Sequence, residues 1–411
     1  MSTTLTYNYT GRNGSGKLVK GKLDASSEGA VAARMRAMGL APIKIDEAQA
    51  TGLQREITIP GFSKGVGTKD LAVFSRQMAT MVGAGLSLLR TLAILTEQTE
   101  NKKLAGDLEQ ITRAVESGTS LSDAMRTHDD DFPPLMINMV RAGETGGFLD
   151  SALASIAENF EKEAKLHSTI KSAMTYPVVV LVISLVAVVA MLVFIVPVFK
   201  KMFEGLGSKL PLPTQMLVSL SESMVWLGPL LAVLVIAGWL WWRKNKHTDA
   251  VRQKIDPIKL RLPVFGPLLK KIAIARFSRN FQNMIGAGVP ILQALRIVGE
   301  TSGNWVIENA ASRVAESVRQ GKSLAAPLMD EPVFPSMVTQ MIAVGEDSGA
   351  LEVMLGKVAE FYDQEVEATT EALTSLIEPL LIVFLGIVVG GMVVALYMPI
   401  FSIATAVNGS N

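Results

Sequence analysis

The sequence contains no cysteine, three histidines and only 6% aromatic residues. Without thiols there are no disulfides, thiolate zinc sites, iron–sulfur clusters or cysteine nucleophiles, and no cysteine to carry a lipid anchor. Charge is scarce too: 19% of the 411 residues are charged, and 39 basic residues nearly cancel 38 acidic ones. Lacking a basic field, the chain has no electrostatic footprint for DNA or RNA, so nucleic acid is not an expected partner. His128, His167 and His247 are scattered, with no paired-carboxylate spacing around them. They are expected at the surface, and no metal site, catalytic residue or cofactor is predicted. Residues 1–10 lack the apolar core of a cleavable signal peptide, which predicts a cytoplasmic N-terminus.

What is abundant is apolar surface: 49% hydrophobic residues and a mean hydropathy of +0.34 predict an integral membrane protein. Three segments approach the roughly 20 apolar residues that cross a bilayer. The first, 173–199, has an uncharged core from Pro177 to Val196. The second, 224–242, ends in Trp239, Trp241 and Trp242 just before Arg243 and Lys244, the aromatic-then-basic order of a cytoplasmic interface. The third, 376–401, holds one acid, Glu378, near its start, and spaces Gly386 and Gly390 for close helix contact. The basic stretch 243–271 is predicted inside, which puts 200–223 and the tail 402–411 outside.

An internal duplication organises the chain. Phe74-Ser75-Arg76 recurs as Phe277-Ser278-Arg279, Gly83-Ala84-Gly85 as Gly286-Ala287-Gly288, and Gly118 with Ser120-Leu121 as Gly321 with Ser323-Leu324, at a constant offset of 203. One deletion later the offset is 202, pairing Gly143-Glu144 with Gly345-Glu346, Tyr176-Pro177 with Glu378-Pro379, and Pro197 with Pro399. Each copy is therefore a soluble segment plus one span. In copy one Phe74, Met78, Met81, Gly85, Leu88, Leu92 and Leu95 follow spacings of four and three, predicting one buried helical face, and copy two repeats the stripe from Phe277 to Val298. Gly118 and Gly321 read as helix ends, Pro133 and Pro335 as helix starts. The last helices, 149–171 and 351–375, run toward their spans and are expected to carry movement into the bilayer.

Gly11-Arg-Asn-Gly-Ser-Gly16-Lys17 resembles a phosphate loop and raises a nucleotide-binding enzyme as a rival. Leu18 stands where magnesium needs a hydroxyl, and no helix follows at once to receive phosphate. A β-hairpin suits the residues better: Tyr7 and Tyr9 alternate into a glycine-rich turn, and a helix from Glu28 to Met38 and a strand from Pro42 to Ile45 complete a small ββαβ unit. Asp129-Asp130-Asp131 reads as a solvated loop. Glu144 and Glu346, in matching glycine-flanked turns, can cap the following helix or face a partner. Glu378 is either an interfacial residue or a functional acid within the span. Gly386 and Gly390 favour a helix–helix contact inside the monomer or with another chain, so a homo-oligomer is plausible.

Taken together, the two Phe-Ser-Arg…Gly-Ala-Gly copies, the Gly-Glu turns, the Val-Pro-Val-Phe and Met-Pro-Ile-Phe exits and Leu-Pro-Leu-Pro-Thr-Gln from Leu210 resemble the type II secretion system F family over nearly the whole chain. The family includes type IV pilus inner-membrane platforms and their secretion counterparts. The resemblance implies a mainly α, multi-pass inner-membrane protein with two six-helix cytoplasmic bundles. It also implies binding of a hexameric assembly ATPase, pilins or pseudopilins, and other inner-membrane assembly proteins amid membrane lipid. The corresponding division is 1–47 for the N-terminal unit, 48–67 linker, 68–172 first bundle, 173–199 span one, 200–223 outside loop, 224–242 span two, 243–271 basic linker, 272–375 second bundle, 376–401 span three and 402–411 tail. Partner contact is expected at Glu144, Glu346, Arg76 and Arg279, and pilin or helix contact at Glu378, Tyr176, Gly386 and Gly390. A repeat-built transporter is the alternative of another class, disfavoured by so few spans and no paired intramembrane charges.

Overall fold

The computed structural model describes residues 5–12, 14, 18–25, 27–47, 65–205, 211–246 and 248–408. Lys17, His247, residues 48–64 of the expected linker, Leu210 and residues 409–411 of the tail lie outside the described residues. The chain divides into two units, Met1–Lys64 and Gly65–Asn411.

In the first unit, strands β1 (Leu5–Arg12) and β2 (Leu18–Ala25) pair antiparallel, helix α1 (Glu28–Ala37) follows, and β3 (Ala41–Glu47) pairs with the other edge of β1. Ser27 caps α1, accepting from the Ala30 amide at 3.3 Å. Tyr7, Val31, Met35 and Leu40 form the small core. Gly11, the first glycine of the phosphate-loop resemblance, is a strand residue opposite Val19, and a Cβ there would stand 2.7 Å from the Met35 methyl. Its glycine serves packing of the helix on the sheet.

The second unit is helical. Copy one contains α2 (Thr68–Gly83), α3 (Leu88–Gln98), α4 (Lys102–Glu116), α5 (Leu121–Arg126), α6 (Pro134–Gly146) and α7 (Leu149–Ala190). A π-helical turn, Met191–Ile195, leads from α7 into α8 (Val196–Gly205), and α9 (Leu212–Asn245) and α10 (Asp249–Arg261) follow. Copy two contains α11 (Phe265–Gly286), α12 (Ile291–Thr301), α13 (Trp305–Arg319), α14 (Ala325–Met329), α15 (Ser336–Ser348) and α16 (Leu351–Asn408). Among the described residues, three helical stretches are long and apolar enough to cross a membrane: Leu149–Phe203, Trp226–Asn245 and Leu351–Pro399.

The stripe expected on one helix is split between two. Gly85 (φ +85°) ends α2 and Gly288 (φ +69°) ends α11, so both glycines are chain reversals and not members of a buried face. Phe74, Met78, Leu92 and Leu95, with Phe277, Phe281, Leu295 and Val298, do meet in one continuous core shared by both copies. Gly118 and Gly321 follow α4 and α13 at positive φ, and Pro133 and Pro335 cap α6 and α15, as expected.

The segments expected as loop and linker are mostly helical. Around the 200–223 loop, α8 and the start of α9 fold together because Leu192, Val196, Val218, Met392 and Leu396 bury one another. Within 243–271, α10 is fixed to α13: Arg252 pairs with Glu308 at 2.5 Å, and the buried Asp256 accepts from the Trp305 amide at 3.0 Å.

Candidate functional site

Two motifs that recur separately in sequence form one construction in space. The Glu144 carboxylate, on the last turn of α6, accepts from the Leu121 amide at 2.6 Å and the Ser122 amide at 3.1 Å, and Ser120 Oγ accepts from the Asp123 amide at 3.2 Å. The first three helical amides of α5 are thus all satisfied, two by an anion placed at the positive end of the helix and the third by the Ser120 hydroxyl. Copy two repeats this: Glu346 accepts from Leu324 at 2.6 Å and Ala325 at 2.9 Å, and Ser323 Oγ from Ala326 at 3.3 Å. The preceding glycine lets α6 cross α7 closely, since a Cβ on Gly143 would lie 2.8 Å from the Ala152 Cβ, and one on Gly345 2.9 Å from the Leu351 Cα. Both glutamates cap a helix, but it is the short one before them, not the following one: α7 and α16 turn away behind left-handed Gly147 and Gly349.

Arg76 and Arg279 are also engaged alike. Arg76 holds Glu161 bidentately at 2.6 and 2.5 Å on a half-exposed face, and that hydrogen bond keeps the Glu161 carboxyl below its ordinary range. Arg279 is buried, pairs with Asp363, the repeat equivalent of Glu161, and approaches Glu163 at 3.8 Å. Glu163 in turn bonds Arg276, and beside it the buried Asn159 donates to Asn280 Oδ1 at 3.0 Å. Asn159 and Glu163 belong to copy one, Asn280 and Arg276 to copy two, so this polar seam joins the copies. Reading the sequence alone missed it; the available signal was an amide side chain beside Phe160 and beside Phe281, within apolar helical patterns.

Two expectations about surface charge are corrected. His128 is mostly buried, its Nδ1 3.2 Å from Asp107 Oδ1, and while Asp129 and Asp130 are exposed as expected, Asp131 is drawn in by Lys103 at 2.6 Å. Burial, then the adjoining Asp131, raises the Asp107 pKa. Among the described residues no group of histidines and carboxylates could hold a metal ion.

At the membrane, Tyr176 and Glu378 line one small hollow of about 50 Å³ between α7 and α16 with Val180, Leu381, Ile382 and Leu385. The repeat thus brings its two equivalent pre-proline residues together. Gly386 and Gly390 are exposed, and a Cβ on either would meet nothing within 4 Å, so close packing inside the monomer does not explain them.

Duplicated helical domains that each continue into an apolar helix, with a further apolar helix between them, define a membrane-embedded scaffold class. Family comparison agrees. The model described as type II secretion system (T2SS), protein F, matches residues 74–197 and 277–399, and that of the protein F N-terminal domain matches residues 1–46. The chain is 42% identical over 410 residues to the type IV pilus assembly protein PilC of Myxococcus xanthus, covering 98% of this chain and 96% of that protein. It is 44% identical over 398 residues to the PilC of Thermus thermophilus, covering 97% and 98%. A type II secretion system protein F from Aeromonas hydrophila is 32% identical over 378 residues, covering 91% and 97%. The chain belongs to the type II secretion system protein F family.

Proposed function

We propose that this chain is the inner-membrane platform of a type IV pilus assembly machine, coupling a cytoplasmic hexameric ATPase to insertion of pilin subunits into a filament. The observation that carries the reading is that α7 and α16 each run without a break from a helical domain into an apolar stretch long enough to span a membrane, which supports a mechanical link from the domains into the bilayer. Similarity over nearly full length to relatives named as pilus assembly proteins supports it. The role is non-catalytic: the platform borrows its energy. A second reading, pseudopilus assembly in type II secretion, draws on the relatives that bear that name.

In this proposal each copy acts as a six-helix bundle, the ββαβ unit leads the chain in the cytoplasm, and the C-terminus lies outside. The ATPase contacts the bundles at the surfaces shaped by Glu144 and Glu346 and beside Arg76 and Arg279. A pilin helix, or other inner-membrane assembly proteins, contact the Tyr176–Glu378 hollow, while exposed Gly386 and Gly390 admit a close neighbouring helix, in a homo-oligomer or a partner. The test is co-purification of the detergent-solubilised chain with its cognate assembly ATPase, followed by ATPase assays. Binding and stimulation without intrinsic hydrolysis is the expected result. Hydrolysis by the chain alone, abolished by Lys17→Ala, would require a different function.

A further inference from the structure

Helix α10 has two dissimilar sides. One is bound to α13 through Arg252 and the buried Asp256. On the other, Lys254, Ile258 and the C-cap Leu262 recur every fourth residue with Arg261 beside them, and all four are exposed. The chain then reverses into α11 through a strained corner. Val264 sits at φ +74° and ψ −53°, and the Phe265 amide donates to the Pro263 carbonyl at 2.9 Å, which is a γ-turn of the rare, strained kind. Among the described residues Val264 is the one non-glycine at positive φ, a costly place for a β-branched side chain. The Gly266 amide closes the corner on the Leu262 carbonyl at 2.8 Å, and a Cβ on Gly266 would collide with the Leu260 carbonyl. The corner holds an apolar point outward: Ile258 is 60% exposed, Leu262 44%, Val264 47% and Phe265 39%.

This point lies at the height where the apolar stretches begin. Helix α11 runs antiparallel to α16, with Gly286 facing Glu352, Lys271 bonded to Glu365 at 2.8 Å, and Leu268 packed with Leu373. Phe265, about 4.5 Å further along the same axis than Leu268, is thus level with the start of the apolar segment 376–401. At the foot of α9 the Lys259 ammonium lies 5.7 Å from the centre of the Trp242 ring, so the end of α10 also stands near the end of the second apolar stretch. Residues 243–271 hold nine basic residues and two acids, and both acids are engaged, Asp249 with Arg252 and Asp256 with Lys259. An excess of positive charge therefore surrounds the point. Helix α2 begins at Thr68, the equivalent of Lys271, so residues 265–270 have no helical counterpart among the described residues of copy one.

We propose that the α10–α11 corner is a bilayer anchor. Leu262, Val264 and Phe265 enter the headgroup boundary of the leaflet that faces the helical domains, and Lys254 and Arg261 bind the phosphates of anionic lipids there. Such a boundary offers anions and hydrocarbon at one height, as the corner offers cations and apolar side chains; an acidic protein surface would meet the cations alone. The anchor rests on the membrane placement of the three apolar stretches. Through α10 and α13 it gives copy two a hold on the membrane besides α16.

The absence of native cysteine allows single reporters. The full chain is reconstituted in vesicles of phosphatidylcholine, or of phosphatidylcholine and phosphatidylglycerol in equal parts, with a fluorophore at Val264→Cys. Two comparisons are Val353→Cys, a similarly exposed valine about 35 Å from the start of the third apolar segment, and Ile387→Cys, exposed within it. Quenching by lipids carrying a nitroxide near the headgroup is read against quenching by aqueous acrylamide. In the mixed vesicles Val264→Cys should be quenched by lipid about threefold more than Val353→Cys and be protected from acrylamide. Phosphatidylcholine alone, or Lys254→Glu with Arg261→Glu, should lower that lipid quenching about threefold, and an unchanged signal would overturn the role of anionic lipid. Val264→Gly, read from a reporter at Leu262→Cys, should lower it too while melting no lower than the native chain, because glycine takes this φ without strain. If Ile387→Cys is quenched by lipid while Val264→Cys is as open to acrylamide as Val353→Cys, the anchor is overturned and the membrane placement stands. If Ile387→Cys is not quenched, that placement fails and the anchor with it. Shielding of Val264→Cys only on addition of the cognate assembly ATPase, without lipid quenching, would make the corner a protein-docking face and equally overturn the proposal.

Discussion

Removing the Glu144 carboxylate tests the capping geometry most directly. Two charge-assisted bonds reach the Leu121 and Ser122 amides at 2.6 and 3.1 Å, and Leu121 is itself buried. Helix α5 has only six residues and little propensity of its own to persist without its cap. Such bonds are worth about 1.5–3 kcal/mol each to a fully buried group, but water reaches these half-buried amides once the side chain is gone, so Glu144→Ala should cost about 2 kcal/mol. Expressed as local opening, that is roughly thirtyfold faster hydrogen exchange at Leu121 and Ser122. Glu346→Ala should do the same at Leu324 and Ala325 and leave the first pair unchanged, since the two caps share no partner. The assay is hydrogen exchange of the purified chain alongside filament assembly in cells. Unchanged exchange at Leu121 and Ser122 together with lost assembly would refute the capping argument and assign Glu144 wholly to a partner.

Other substitutions probe the interior. Asn280→Ala leaves the buried Asn159 amide without its acceptor, so thermal unfolding of the purified chain should show a loss of about 1–3 kcal/mol. Ser278→Ala removes a buried hydroxyl that has no hydrogen-bond partner among the described residues, and should be neutral or stabilising by up to about 1 kcal/mol in the same measurement. Asp107, with its pKa raised in the folded chain, binds its proton more tightly folded than unfolded, so its contribution to stability falls as pH rises through that raised value. Asp107→Asn should therefore melt at or above the native chain at pH 8, and the difference should shrink on acidification; a difference that grows on acidification would show the sign to be wrong.

Elements set by local chemistry were legible in the sequence: the hairpin around its glycine turn, the helix ends at Gly118 and Gly321, and the proline-led starts of α6 and α15. The duplication was legible because equivalent positions kept residue type over 200 residues of separation. Misreadings came where periodicity runs across a break. The apolar rhythm from Phe74 to Leu95 survives a chain reversal at Gly85 because α2 and α3 both face the same core. The cap was hidden for a different reason. Ser120 and Glu144 are each visible as repeated residues, but only the return of α6 past the start of α5 brings them together. The seam at Asn159 and Asn280 joins residues 121 positions apart, and no local pattern encodes such a pairing.

Each long helix is interrupted at the same two heights, by Pro177 and Pro379 at the start of the spans and by Pro197 and Pro399 toward their ends. A proline within a helix forfeits one backbone bond and permits a kink without ending the rod. At the far end the rods are tied: Ser221 of α9 donates to the Leu192 carbonyl within the π-helical turn, and Thr214 donates to the carbonyl of Ala395 in α16. The stretch Trp226–Asn245 of α9, by contrast, has no buried residue among the described ones, and near its end the Lys259 ammonium lies over the Trp242 ring. In the proposed role, a displacement of the helical domains would meet Pro177 and Pro379, beside the Tyr176–Glu378 hollow, before the tied cluster beyond them. On that proposal, movement delivered along α7 and α16 would concentrate at the hollow, because the three helices joined at the remote end resist it. Glu378, the one acid in the apolar segment 376–401, would then stand where the proposed movement is greatest.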